Sequence, residues 1–161
     1  MSINNQANDL PDDDDQALTQ FLTYKLLTLV HHANRAGQRW HQKHTGLALS
    51  EWRLMATLGH FGPQSSVELG ERMQIDKAVV SRVKTKLCQS GMIEEETDPQ
   101  DRRSRILQLT ARGRTVFEQV MPLARLRQAD VASVLSPEEL QVFNRAIDKL
   151  DAYFIDRLQE D

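Results

Sequence analysis

Between Lys77 and Lys86 the chain reads Lys-Ala-Val-Val-Ser-Arg-Val-Lys-Thr-Lys, and no acid follows Asp76 until Glu94. On a helix of 3.6 residues per turn, Val80, Val83 and Leu87 share one side. Ala78, Ser81, Arg82 and Thr85 lie about opposite, with Lys77 and Lys86 nearby. That second face is small, polar and basic, as a helix must be to enter a major groove about 12 Å wide. A surface helix that serves only solubility mixes Glu with Lys, so the missing acid is the informative feature. The chemistry on offer is hydrogen bonding to base edges and charge pairing with phosphate. Arg82 is the candidate for a bidentate contact with guanine, worth about 1–3 kcal/mol of discrimination. Ser81 can bond a base or a phosphate, Thr85 shares its face, and Ala78 and Val79 can pack on thymine methyls. Lys77 and Lys86 suit phosphates, which position a protein without reading sequence. Lys84 has two readings: a phosphate contact, or a lysine whose stem lies beside the core. Ser65, at the start of the preceding helix, joins the candidate DNA contacts.

A second basic cluster lies in the loop Thr97-Asp98-Pro99-Gln100-Asp101-Arg102-Arg103-Ser104-Arg105. Arg102, Arg103 and Arg105 at a loop tip can reach a minor groove, whose potential is strongly negative. Asp101 can brace the loop by pairing with Arg103, leaving Arg102 to insert. The plainer reading is a surface ion-pair loop worth about 1 kcal/mol or less; behind a basic helix, the DNA reading is preferred.

Other reactive residues give weaker patterns. His41 and His44 stand three apart, but no Cys-x-x-Cys or carboxylate cluster accompanies them, so solvent-exposed or helix-capping histidines are expected and no metal. Cys88 is the single cysteine, which excludes an internal disulfide and fits a reducing compartment. It reads as a small packing residue, with a redox switch as the alternative. No Gly-rich phosphate loop, Gly-x-Ser-x-Gly elbow or His-Glu-x-x-His motif occurs, so neither an enzyme nor a cofactor is expected.

The elements that must hold these residues can be read from periodicity and caps. Leu18, Leu22, Leu26, Leu29, Ala33, Ala36 and Trp40 recur every three or four residues and predict a long amphipathic helix from Ala17, ended by Thr45-Gly46. Ser50 is the expected N-cap of a second helix, to Phe61, before Gly62-Pro63. Ser65-Ser66-Val67-Glu68 is a capping box opening a third helix to Met73, and Asp76 caps a fourth, Lys77 to Gln89. Met92–Glu96 and Arg105–Leu109 flank the arginine loop as a β-hairpin. Thr110 caps a fifth helix to about Val134, kinked by Pro122, and Ser136-Pro137-Glu138-Glu139 opens a sixth, to about Leu158. Two short helices, a tight turn and a hairpin make a winged helix-turn-helix. The expected fold is therefore mainly α with a small β-hairpin wing.

Charge and length agree with this layout. The formal charge is −3, but residues 1–15 hold five acids and no base, and residues 72–114 hold ten Lys and Arg against six Asp and Glu. Basic charge is thus concentrated on the motif. The expected organisation is a disordered acidic tail at 1–16, a winged lobe at 49–114, and helical segments at 17–48 and 115–161. Leu140, Phe143, Ile147, Leu150, Phe154 and Leu158 on the last helix, like the first helix, offer more apolar surface than one small core can use. Two-fold pairing would bury it, forming a dimerisation base and setting two recognition helices about 34–36 Å apart. No apolar run reaches the ~18–20 residues that cross a bilayer, and the acidic N-terminus lacks a signal's basic and apolar regions, so the expected location is cytoplasmic, away from membranes.

Several stretches resemble the MarR (multiple antibiotic resistance regulator) family. They are Leu49-Ser50-Glu51-Trp52-Arg53, the segment from Glu68-Leu69 to Asp76, Ser81-Arg82, Gly91-Met92-Ile93, Asp98–Ser104 and Leu109-Thr110-Ala111-Arg112-Gly113. The resemblance implies a homodimer with interlocked terminal helices, two winged modules on one face of double-stranded DNA, and repression relieved by a small ligand. It gives Asp101 and Arg103 the role of bracing the wing and Arg102 that of the minor-groove arginine. Lys84 departs from the apolar residue usual at its position. The resemblance also implies a crevice for an aromatic or carboxylate effector, such as a phenolic acid or its thioester. His31, His32, Arg35, Arg39, Trp52 and Met55 are its candidate lining, with arginine pairing the carboxylate and tryptophan stacking the ring. A tryptophan at the spacing of Trp52 is more often core, and an arginine placed like Arg35 more often solvated. The rival reading is a winged protein-interaction module without DNA, whose docking surface would favour exposed aromatics.

Overall fold

The computed structural model describes residues 18–98 and 104–160. The acidic start and the wing-tip residues Asp101, Arg102 and Arg103 lie outside the described residues. The chain divides into two compact units, one ending at Trp52 and the other beginning at Arg53.

In the first unit, a 3-10 turn at Leu18–Gln20 precedes helix α1 (Leu22–Thr45). The helix expected from Ala17 thus starts later, because Phe21 is extended and supplies no side-chain cap bond. Its end is as expected: Gly46 takes φ +69, a left-handed conformation that glycine adopts without strain. Most of α1 is exposed, including Leu22, Leu27, Leu29 and Val30; only Gly37 and His41 are buried. Helix α2 (Leu49–Phe61) opens one residue before the expected Ser50 cap. The Glu51 carboxylate accepts from the Ala48 N–H at 2.8 Å, so a side chain inside the first turn satisfies the donor that a serine cap would leave to water.

The second unit is built around the helix-turn-helix. After α2 comes strand β1 (Gln64–Ser65), then α3 (Ser66–Met73) and α4 (Lys77–Gln89). The wing is β2 (Ile93–Thr97) and β3 (Arg105–Leu109), paired antiparallel with Ile93 opposite Leu109 and Thr97 opposite Arg105. Strand β1 adds to the far edge of β3, giving the order β1-β3-β2. It was not expected, since two residues after Gly62-Pro63 carry no alternation to read. Leu54, Met55, Leu58, Leu69, Val80, Leu87, Ile93 and Leu107 form the buried core.

Helix α5 (Ala111–Ala132) runs as a single helical element through Pro122 and stops two residues short of the expected Val134. Its start is clamped to the wing root. Thr110 donates through its N–H to the Met92 carbonyl and through its hydroxyl to that of Gly91, at 3.1 and 2.7 Å. Helix α6 (Pro137–Gln159) opens with the expected Ser136–Glu139 capping box. None of its residues is buried, and Phe143, Ile147, Phe154 and Leu158 stand exposed. Among the described residues no helix is long and apolar enough to cross a membrane.

The α3 box is complete: Ser65 Oγ accepts from the Glu68 N–H, and the Glu68 carboxylate accepts from the Ser65 N–H at 2.7 Å. That backbone bond, then the Ser65 hydroxyl and Arg72, hold the Glu68 carboxyl below its ordinary range, against a smaller opposing effect of burial. A depressed carboxylate contributes stability that is present above its unfolded pKa and lost as pH falls through the folded one. Ser65→Ala should cost about 1 kcal/mol at neutral pH. Glu68→Gln should be less stable than the parent at pH 7, and in urea melts the gap should close as pH falls through the lowered Glu68 pKa; a gap that does not change with pH would contradict this role.

Candidate nucleic-acid interface

The turn between α3 and α4 fixes the angle at which the second helix is presented. Ile75 N–H donates to the Gly70 carbonyl and Gln74 N–H to that of Glu71, the paired bonds that close a helix on a left-handed residue. Here that residue is Gln74, at φ +53. The Arg53 guanidinium on α2 donates to the Met73 carbonyl at 2.8 Å, tying the turn to the helix beneath it. Sequence reasoning missed Arg53, because its partner is twenty residues away and is a backbone atom. Asp76 holds the expected N-cap position of α4, with its carbonyl accepting from Val79 and Val80, but its carboxylate makes no cap bond.

The two faces of α4 are as expected. Val80, Val83 and Leu87 are buried, whereas Lys77, Ala78, Ser81, Arg82, Thr85 and Lys86 are exposed and Val79 is half-buried. No hydrogen bond or ion pair to another described residue ties down Arg82. Thr85 is partly committed, since its hydroxyl donates to the Ser81 carbonyl at 2.9 Å. Ser65 sits at the α3 N-terminus with its oxygen used as a cap acceptor, which leaves its O–H to donate. Lys84 departs from the others: half-buried, it places Nζ 3.0 Å from Glu95 Oε1 on β2. Arg105 is exposed at the outer end of β3 and donates to Thr97 Oγ1 at 3.1 Å.

The Cys88 thiol is exposed. Its pKa is pushed up by desolvation, with Lys84 pulling it down and Glu95 pushing it up. A raised thiol pKa lowers the thiolate fraction, which disfavours redox reactivity.

The effector candidates are less concentrated than expected. Residues advance about 100° each around a helix. His31, His32, Arg35 and Arg39 therefore share one side of α1, all exposed, while Gly37 and His41 lie on the other side. Trp52 is 6% exposed and stacks on His41, with ring centroids 5.6 Å apart. The arginine-beside-tryptophan arrangement is thus not formed in this unit. Met55 is fully buried in the core. His41 also corrects an expectation: it is buried, at 3% exposure, because Trp40 meets it edge-on at 4.8 Å while Trp52 covers a face. His44 is exposed, stacks on Trp40, and donates through Nδ1 to the Trp40 carbonyl at 2.8 Å. Among the described residues no group of three or more His, Cys, Asp or Glu is placed to hold a metal ion.

Comparison with known proteins bears on this geometry. Residues 47–104, from just before α2 to the residue that precedes β3, match the model of the MarR family. YkoM of Bacillus subtilis (strain 168), described as an uncharacterized HTH-type transcriptional regulator, is 33% identical over 97 residues, 60% of this chain. The match spans 63% of YkoM, so this chain covers less than two thirds of that relative. Among solved structures, MepR of S. aureus in complex with DNA superposes with a TM-score of 0.74 at 17% identity, over 83% of this chain and 98% of MepR. BpsR of Bordetella bronchiseptica, whose DNA binding is regulated by 6-hydroxynicotinic acid, does so with a TM-score of 0.73 at 22% identity, over 84% of this chain and 96% of BpsR. At those identities the superpositions establish the winged helix-turn-helix fold.

Proposed function

We propose that the chain is a MarR-type regulator, as the family model matched over residues 47–104 supports: a homodimeric, sequence-specific DNA-binding protein that represses transcription. The observation that carries this reading is the exposed face of α4, basic and free of acid from Lys77 to Gln89. Arg82 reads guanine, Ser81 and Thr85 line the groove with Ala78 and Val79, and Lys77, Lys86 and Ser65 take phosphates. Arg102, with Arg103 and Arg105, serves the minor groove, and Asp101 braces the wing through Arg103. The exposed apolar faces of α1 and α6 support a two-fold dimer, whose operator would be pseudo-palindromic. The DNA-bound form of MepR supports the same assignment. The rival docking-module reading gains nothing from α4, which exposes no aromatic residue.

Relief by a small aromatic acid is part of the proposal, supported by BpsR and its 6-hydroxynicotinic acid. With Trp52 and Met55 buried, the contacts fall to Arg35 and Arg39, which supply charge for a carboxylate, and to His31 and His32 beside them. Titration with phenolic acids and their thioesters should shift melting temperature and DNA affinity; no change in either removes this effector class.

Substituting Arg82 and Arg102 together by alanine tests the DNA reading. The pair should weaken operator binding on the order of 100-fold and flatten its salt dependence. A double variant that binds with unchanged affinity and salt slope would end the assignment of these two arginines.

A further inference from the structure

We propose that Lys84 is not a phosphate contact but one half of a strap, Lys84–Glu95, that sets the angle of the wing to the recognition helix. The inference rests on the regulator reading, and it starts from the alternation of the wing strands. Cross-strand partners in an antiparallel pair project to the same face. Ile93 pairs with Leu109, Glu95 with Leu107 and Thr97 with Arg105, so these six residues share one side of the wing. That side is the core side, because Ile93 and Leu107 are buried. Glu94 and Glu96 lie on the other side, where Glu94 accepts from Gln108 at 3.2 Å.

Glu95 is therefore a carboxylate on the apolar face of the sheet, placed where the wing leaves the core. A charge there must be paired or hydrated, and α4 supplies the pair. Lys84 falls one turn after Val80 and just before Leu87, at the edge of the buried stripe. Its ammonium meets the Glu95 carboxylate at 3.0 Å, with side chains only 26% and 32% exposed. An ion pair this accessible adds little to stability. What it supplies is direction: one bond between the middle of the recognition helix and the middle of the wing strand. A lysine so engaged has no charge to spare for phosphate, and its basic neighbours Lys77 and Lys86 remain exposed.

The test compares the wild-type dimer with Lys84→Met, Glu95→Gln and the swap Lys84→Glu/Glu95→Lys. Operator affinity is measured across a salt series, and amide hydrogen exchange of Glu94–Thr97 is followed without DNA. A strap predicts that each single substitution weakens operator binding roughly three- to tenfold with the salt slope unchanged. It predicts faster exchange in both single variants, and recovery of affinity and exchange in the swap. A phosphate contact predicts the reverse pattern: Lys84→Met, which removes one contact from each protomer of the dimer, loses about 1.8 of salt slope, Glu95→Gln binds more tightly, and the swap restores nothing. That result overturns the strap, as does unchanged affinity and exchange in every variant. Should the wild type bind no DNA at any salt, the regulator reading falls, and recovery of exchange in the swap alone decides whether the strap stands.

Discussion

Gly113→Ala should destabilise the protein by about 3 kcal/mol or more, lowering its melting temperature on the order of 10 °C. An added Cβ would stand 1.9 Å from the Met92 carbonyl oxygen and 2.9 Å from its carbon. Both are backbone atoms, so no side chain can swing aside. Retreat is also closed, because the same Met92 carbonyl accepts from the Thr110 N–H at 3.1 Å, while Thr110 Oγ caps Gly113 N–H at 3.0 Å. Moving α5 away would break the cap and the link to the wing root together. Gly46→Ala is the proper control. Gly46 has φ +69 and nothing within 4 Å of the added carbon, so it should lose only the left-handed strain, about 1 kcal/mol. Equal denaturant midpoints for Gly113→Ala and wild type would show that the close approach is not real.

Phe143→Asp combined with Ile147→Asp should yield a monomer with operator affinity lower by about 100-fold or more. These side chains are already 39% and 42% exposed on α6, so new charges there cost the protomer fold little. In a two-fold dimer the same positions would meet apolar partners, where two desolvated carboxylates per protomer are not tolerated. Once the protomers part, each recognition helix binds its half-site alone, and the gain from linking two binding events is lost. Sedimentation gives the oligomeric state, circular dichroism checks that helix content is kept, and titration gives affinity. A variant that remains dimeric and binds as before would place the interface elsewhere.

What the sequence made legible was chiefly local. The Ser65–Glu68 and Ser136–Glu139 boxes could be read because their bonds close within three residues, and both form. The buried and exposed sides of α4 followed from helical period alone. Thr110 and Gly113 were visible as a motif, but the reason for the glycine, the Met92 carbonyl, is an encounter 21 residues apart. Distance in sequence also hid β1, whose two residues pair with Leu107 and Ile106. The same holds for Lys84 and Glu95, which stand 11 residues apart on different elements. Sequence reasoning therefore offered a choice between phosphate contact and core-side lysine for Lys84, and the wing supplied the partner that neither reading named. His41 was misread for a related reason: its burial depends on Trp52, on the next helix. Arg35 and Arg39 were not brought beside Trp52 because helical phase sets them on the side of α1 away from His41, the residue on which Trp52 stacks.

The central claim, that this chain reads a specific DNA sequence as a dimer, is tested most directly by selecting genomic fragments with the purified protein and footprinting those it retains at two salt concentrations. The account predicts a protected inverted repeat of about 16–20 base pairs, with half-sites about one helical turn apart and affinity falling steeply as salt rises. Weak binding without sequence preference, persisting after unfolding and refolding to remove any retained ligand, would contradict it.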